Sequence, residues 1–205
     1  QLERLRTGTP RVNRRWVSVS EIRQSIDDTL RPWAMPRQID VLWDGADDPT
    51  ANVFADVPML RRLIVNLVTN SIRVTAEGGS VLIRLQVERS GDVLRWSVVD
   101  QGRGISESDL DKIADRQVTF GGGEGLGLSI CRQLAALHFS PLRIRSRIGS
   151  GTEVSFQTAS AGPRSVAGAW SRWRVAQRGP LQKPQHQKGI SPPKSKMRTP
   201  RRMRL

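Results

Sequence analysis

The sequence has one cysteine, Cys131, no tyrosine, four phenylalanines and two histidines among its 205 residues. A lone cysteine excludes an internal disulfide and any cysteine-based metal cluster. No apolar run approaches the roughly 18 residues needed to cross a bilayer. The charged N-terminus lacks the apolar stretch of a secretory signal, and because it starts at Gln1 the chain is expected to be a piece of a longer protein. Acidic residues are missing from 161–205, where 12 Lys and Arg stand. The other 21 basic and 19 acidic residues leave 1–160 at a net +2, so the total of +14 belongs to the C-terminal segment. A strongly basic chain points toward nucleic acid, but here the charge marks a tail rather than a fold.

What is present reads as one domain of about 160 residues, enough for a real core. The segment 1–8 resembles the last turns of a helix closed by Gly8, and 10–16 reads as a linker. A helix capped by Ser18 or Ser20 runs through Glu21, Ile22, Ile26 and Leu30 and is expected to stop before Pro32. Strands are predicted at 39–43 and 52–55. The clearest helix spans 57–74, where Leu60, Leu63, Ile64, Leu67 and Ser71 recur at spacings of three and four. Alternating strands follow at 81–87 and 93–99, then a short helical piece at 107–114. A second clear helix covers 126–138, and strands at 142–147 and 153–156 close the domain. This order predicts an α+β, two-layer sandwich with helices on one face of a mixed sheet. Residues 161–205, rich in Pro, Gln, Ser, Arg and Lys without apolar periodicity, are expected to be disordered.

Four local patterns carry chemistry. Asn66 and Asn70 lie one turn apart on the long helix, with Arg73 three residues on, along one ridge beside the apolar stripe. Neutral amide oxygens can hold Mg²⁺ while leaving room for phosphate oxygens, and Arg73 could donate to those phosphates. Asp100 ends a strand and is followed by Gly102 and Gly104, which let the backbone turn sharply and approach a ligand. A carboxylate there can accept the amino protons of a purine. Gly123, Gly125 and Gly127 precede and open a helix whose free N–H groups attract phosphate. Gly149-Ser-Gly-Thr152 is the fourth pattern. Taken singly, each has an ordinary explanation as a solvated helix face, a plain turn, a capping loop or a hairpin. Neither a P-loop nor a G-x-G-x-x-G fingerprint occurs.

In this order the patterns resemble the ATP-binding domain of sensor histidine kinases, in the ATPase superfamily shared with gyrase, the Hsp90 chaperones and MutL. The resemblance covers roughly residues 17–156 and implies the Bergerat fold. It implies that Asn70 binds magnesium, that Asn66 lies near the phosphates, and that Arg73 is the basic residue that follows. Asp100 matches the aspartate that reads the adenine amino group, with Gly102, Gly104 and Ile105 in its loop. Gly123, Gly125, Leu126, Gly127 and Leu128 match the loop over the phosphates, and Thr152 matches the threonine near the adenine. Gyrase, Hsp90 and MutL have a glutamate at the position of Asn66 that activates water. An amide has no basic oxygen to take a proton, so transfer of the γ-phosphoryl group is favoured over hydrolysis.

The resemblance thus implies the Mg-ATP-binding, catalytic part of a two-component sensor histidine kinase. Its expected partners are a histidine-bearing dimerisation domain, a response regulator and, in the full protein, a second copy. The expected location is cytoplasmic, with the parent protein able to be membrane-anchored. Residues 1–16 match the end of the dimerisation helix and its linker, 17–160 the ATP-binding domain, and 161–205 the basic tail. The sequence departs from the family at the two phenylalanine positions before the lid, occupied by Ala114 and Gln117. The lid itself is short, about 120–124, and Val74 replaces the usual aromatic or polar residue. The two histidines are not in an acceptor context: His186 is in the tail, and His138 ends a helix where a positive charge suits the helix dipole. Two other readings stay open: a degenerate nucleotide-holding or docking module without kinase activity, and nucleic acid or an acidic surface bound through the tail, where Trp170 and Trp173 interleave with arginines.

Overall fold

The computed structural model describes residues 12–45, 51–88, 92–110, 126–160, 162–178 and 201–202. In chain order these form β1 (Arg15–Ser18), α1 (Val19–Ala34), a 3₁₀ turn at Met35–Arg37, β2 (Asp40–Asp44), β3 (Asn52–Ala55) and α2 (Val57–Val74). There follow β4 (Ser80–Val87), β5 (Val93–Asp100), α3 (Leu126–Ala136), β6 (Arg143–Ser146), β7 (Thr152–Ala159), α4 (Gly162–Arg178) and β8 (Arg201–Arg202). The strands make one mixed sheet in the order β1-β3-β7-β5-β4-β2-β8, with β6 beside β7. Among the described residues only β2 and β4 pair in parallel; β5 is central and pairs with β4 on one side and β7 on the other.

Alternation decides which side of the sheet is covered. Val81, Ile83 and Leu85 of β4 lie opposite Asp100, Val98 and Trp96 of β5, and all six are buried. Onto this face pack Ile22, Ile26 and Leu30 of α1, Leu60, Leu63, Ile64 and Leu67 of α2, and Cys131, Leu134 and Ala135 of α3. The result is the expected two-layer α/β sandwich. Trp96 stacks on Phe156, centroids 6.0 Å apart, while its Nε1–H donates to Thr158 Oγ1 at 2.9 Å. The indole is therefore buried with its polar atom satisfied.

Four elements differ from the expectation. α1 runs through Pro32 to Ala34. The ring faces solvent, and the fully buried Leu30 and Ala34 hold the turn whose hydrogen bond proline removes. Arg15–Ser18, expected as the end of a linker and the cap, form β1 against β3, although Ser18 does cap α1 by accepting from Glu21 N–H. Residues 162–178 of the expected irregular tail form α4, because one of its stripes finds cover: Ala169 is buried and the helix packs on β7. Arg201–Arg202 pair with β2.

His138 is a fifth difference. The imidazole is 3 % exposed. Its Nδ1 bonds the Leu134 carbonyl at 2.8 Å, and its Nε2 accepts the backbone N–H of Asp56 at 3.3 Å. This pattern requires the neutral ring. Burial pushes the imidazole below its ordinary value, against the raising effect of the Leu134 carbonyl. The cation at this end of α3 is instead Arg14, which donates to the Leu137 carbonyl and lies 4.5 Å from the Phe139 ring centroid. With the folded value depressed, the contribution of His138 to stability is complete above the usual value of about 6.5. It falls as pH drops below that, by about 1.4 kcal/mol per pH unit, until the depressed value is reached. His138→Gln, which keeps an acceptor for Asp56 N–H, should flatten that part of the stability curve. Denaturant midpoints measured across the acid range would show it, and an unchanged slope would contradict the assignment.

Candidate functional site

α2 begins at Asp56, whose carboxylate caps the helix through Met59 N–H at 3.1 Å and also accepts Asn13 N–H at 2.7 Å. Such a cap stabilises the helix by about 1 kcal/mol. With the stripe from Leu60 to Ile72 buried in the core, the ridge beside it is left at the surface. Asn66 and Asn70 are half-buried there and Arg73 is exposed. Asn66 reaches toward α3, where it acts on the buried Cys131 thiol. Burial pushes that thiol up to about 12, against smaller lowering effects of Asn66 and Arg62.

Asp100 stands at the end of the central strand with 5 % of its surface exposed. Its Oδ1 accepts Gly102 N–H at 2.9 Å and Thr152 N–H at 3.2 Å. Its Oδ2 accepts the Ser71 hydroxyl at 3.1 Å. A carboxylate has about four acceptor positions, so among the described residues two backbone donors saturate Oδ1 and one position remains on Oδ2, beside α2. Because Ser71 follows Asn70 directly, the ridge of amides and the strand-end carboxylate belong to one place.

The loop after β5 is held against the β6–β7 turn. Gly149 N–H donates to Arg103 O at 2.8 Å. Gly104 has φ +71° and Gly151 φ +76°. A methyl group on Gly104 would overlap the Arg147 carbonyl oxygen, and one on Gly151 would overlap that of Asp100. Glycine is required at both for conformation and for space. Ser146 ties the pieces together: its Oγ receives Ile105 N–H at 2.9 Å, donates to Gly151 O at 2.8 Å and meets Thr152 Oγ1 at 2.8 Å. Thr152, opposite Asp100 across the β5–β7 ladder, is thereby fixed next to the carboxylate.

α3 opens at Leu126, and a methyl on Gly127 would stand 3.5 Å from Asn70 Nδ2. The first turn of α3 thus lies against the amide ridge, and Leu128 packs on the core. Asn66, Asn70, Asp100, Gly102, Gly104, Ile105, Gly127 and Thr152 are therefore grouped around the ends of β5, α2 and α3, with Arg73 on the exposed side. Gly123 and Gly125, Ala114 and Gln117, the short lid and residues 1–8 lie outside the described residues. Ser71, Val74 and Ser146 join the site without having been singled out as ligand-facing. Val74 Cγ2 would stand 2.8 Å from a methyl on Gly102.

Residues 55–161 match the family model described as "Histidine kinase-, DNA gyrase B-, and HSP90-like ATPase". The chain belongs to that family. Among curated proteins it is similar to the circadian input-output histidine kinase CikA of Synechococcus elongatus, at 32% identity over 162 residues, 74% of this chain and 21% of that protein. It is also similar to the adaptive-response sensory kinase SasA of a Synechococcus strain, at 30% identity over 68% of this chain and 41% of that protein. The chain thus spans less than half the length of these relatives. Among solved structures, full-length ShkA in complex with AMPPNP superposes with a TM-score of 0.65 at 26% identity, over 78% of this chain and 34% of ShkA. The catalytic domain of histidine kinase ThkA, at 24% identity, shares the fold with a TM-score of 0.62 over 72% of this chain and 97% of that domain. Among the described residues, no helix is long and apolar enough to cross a membrane.

Proposed function

We propose that this chain is the ATP-binding catalytic part of a two-component sensor histidine kinase, binding Mg-ATP for transfer of the γ-phosphoryl group to a histidine on a separate dimerisation domain. The observation that carries this reading is the buried Asp100 carboxylate. Three neutral donors orient it, and one acceptor position is left for a ligand N–H. The residues present fit the nucleotide. Asp100 would accept the adenine amino group beside Thr152, and the N–H groups that open α3 at Leu126, Gly127 and Leu128 suit phosphate. Asn70 would supply a neutral oxygen to Mg²⁺, a small cation held by few protein ligands together with phosphate oxygens and water.

Phosphoryl transfer depends mostly on positioning and charge neutralisation. Asn66 and Arg73 serve that purpose near the phosphates without offering a base. The partners of this reading are the acceptor domain, a response regulator and a second copy of the parent kinase, in the cytoplasm. Ala114 and Gln117 at the phenylalanine positions favour one competing reading, a nucleotide-holding docking module that transfers nothing.

One assay separates them. Mixed with an acceptor-domain dimer and γ-labelled ATP, the chain should label the acceptor histidine only when Mg²⁺ is present, and Asn70→Ala should remove the Mg²⁺ dependence of nucleotide binding. ATP binding without any labelled acceptor would establish the docking module, and metal dependence retained in Asn70→Ala would displace the metal ligand from that residue.

A further inference from the structure

Ser146 ends β6 directly opposite Thr152 of β7. Three polar groups meet its hydroxyl: Ile105 N–H at 2.9 Å, the Gly151 carbonyl oxygen at 2.8 Å and Thr152 Oγ1 at 2.8 Å. A serine hydroxyl has one proton to give and two lone pairs that accept. The Gly151 carbonyl has no proton of its own, so that contact takes the one on Ser146. Ile105 N–H fills one lone pair. The proton between the two hydroxyls therefore comes from Thr152, and Ser146 accepts it. Were Ser146 to donate to Thr152 instead, two bare oxygens would face each other at Gly151, and a buried carbonyl without its donor is costly.

Thr152 is thereby turned into an acceptor. Among the described residues only Ser146 bonds its Oγ1, which keeps its lone pairs. The same residue holds the Asp100 carboxylate through its backbone N–H at 3.2 Å. We infer that Ser146 is a positioning residue that determines base specificity. By drawing the Thr152 proton away it leaves the base end of the site with acceptors alone, Thr152 Oγ1 and the open position on Asp100 Oδ2. Such a site selects nucleobases that bring N–H groups and rejects those that bring a carbonyl oxygen, because acceptors facing acceptors go unpaired. The inference rests on the nucleotide reading above and concerns only the base.

The test is titration of the whole chain with ATP and with inosine triphosphate, whose base has a carbonyl oxygen in place of the amino group. The unaltered chain should bind ATP at least about tenfold more tightly. In Ser146→Ala the Thr152 hydroxyl is free to turn and donate, so that ratio should narrow about fivefold. Ser146→Thr, which keeps a hydroxyl, should restore it. A purely structural role would weaken both nucleotides equally and leave the ratio where it was. In a Thr152→Val background, with no hydroxyl to redirect, Ser146→Ala should no longer change the ratio. Circular dichroism would verify that each variant is folded. A ratio unchanged in Ser146→Ala, or narrowed as much in the Thr152→Val background, would overturn the inference and leave the purine site standing. A wild-type chain that binds the two nucleotides equally, or neither, would remove the purine assignment of Asp100 and this inference with it.

Discussion

Asp100→Asn is expected to lower the affinity for ATP by about 100-fold or more while the protein stays folded. The amide oxygen can keep the hydrogen bonds from Gly102 and Thr152, and the Ser71 hydroxyl can turn to accept from the new NH₂ group. The local backbone therefore has no reason to move. What changes is the atom left for the ligand. The one remaining acceptor position on Oδ2 becomes a donor facing the donors of the adenine amino group. Losing a charge-assisted hydrogen bond and opposing two donors amounts to about 3 kcal/mol, which is about two decades in affinity. Calorimetric titration would measure it, with a purine nucleotide lacking the exocyclic amine as the control. That ligand should bind both proteins with similar strength. Retained ATP affinity in the variant would remove Asp100 from the purine site.

The second large effect concerns backbone. Gly104→Ala and Gly151→Ala should each cost about 3 kcal/mol or more in stability, combining positive-φ strain with overlap against a carbonyl oxygen. Both should weaken nucleotide binding along with it, because the clamped turn supports the loop of Asp100. Gly149→Ala is the comparison. Its φ of +73° is similar, but nothing lies within 4 Å of the added methyl, so it should cost about 1–2 kcal/mol. Urea unfolding of the three variants distinguishes packing from conformational strain. Equal losses in all three would show that the carbonyl overlaps are relieved by small shifts.

Much of this was visible in the residues alone, for physical reasons. α2 was legible because its apolar stripe repeats at the helical period; the Asp56 cap and Pro58 in its first turn were not used and emerge from the structure. Asp100 by itself read as well as a plain turn, and only the order of the four patterns singled it out; its hydrogen bonds from Gly102, Thr152 and Ser71 appear only in the structure. Ser71 and Ser146 were not legible: a small hydroxyl residue has no periodic signature, and its role appears only when another element brings a partner to it. The same holds for α4, whose Ala-Trp-Arg composition gains an apolar side only because β7 offers something to cover. Pro32 misled because the rule against proline in helices concerns a lost hydrogen bond, while packing of Leu30 and Ala34 decided the matter. His138 was placed rightly at a helix end. Its expected charge failed because burial outweighs the helix dipole.

The thiol between α2 and α3 has a practical consequence. Cys131 is the only cysteine and is shut inside the core with its ionisation displaced to about 12, so at neutral pH it offers almost no thiolate to alkylating reagents. A second cysteine engineered at the exposed Arg73 would be the one position a maleimide dye could attach to. The wild-type background is therefore ready for fluorescence reporting without first removing a native sulfur.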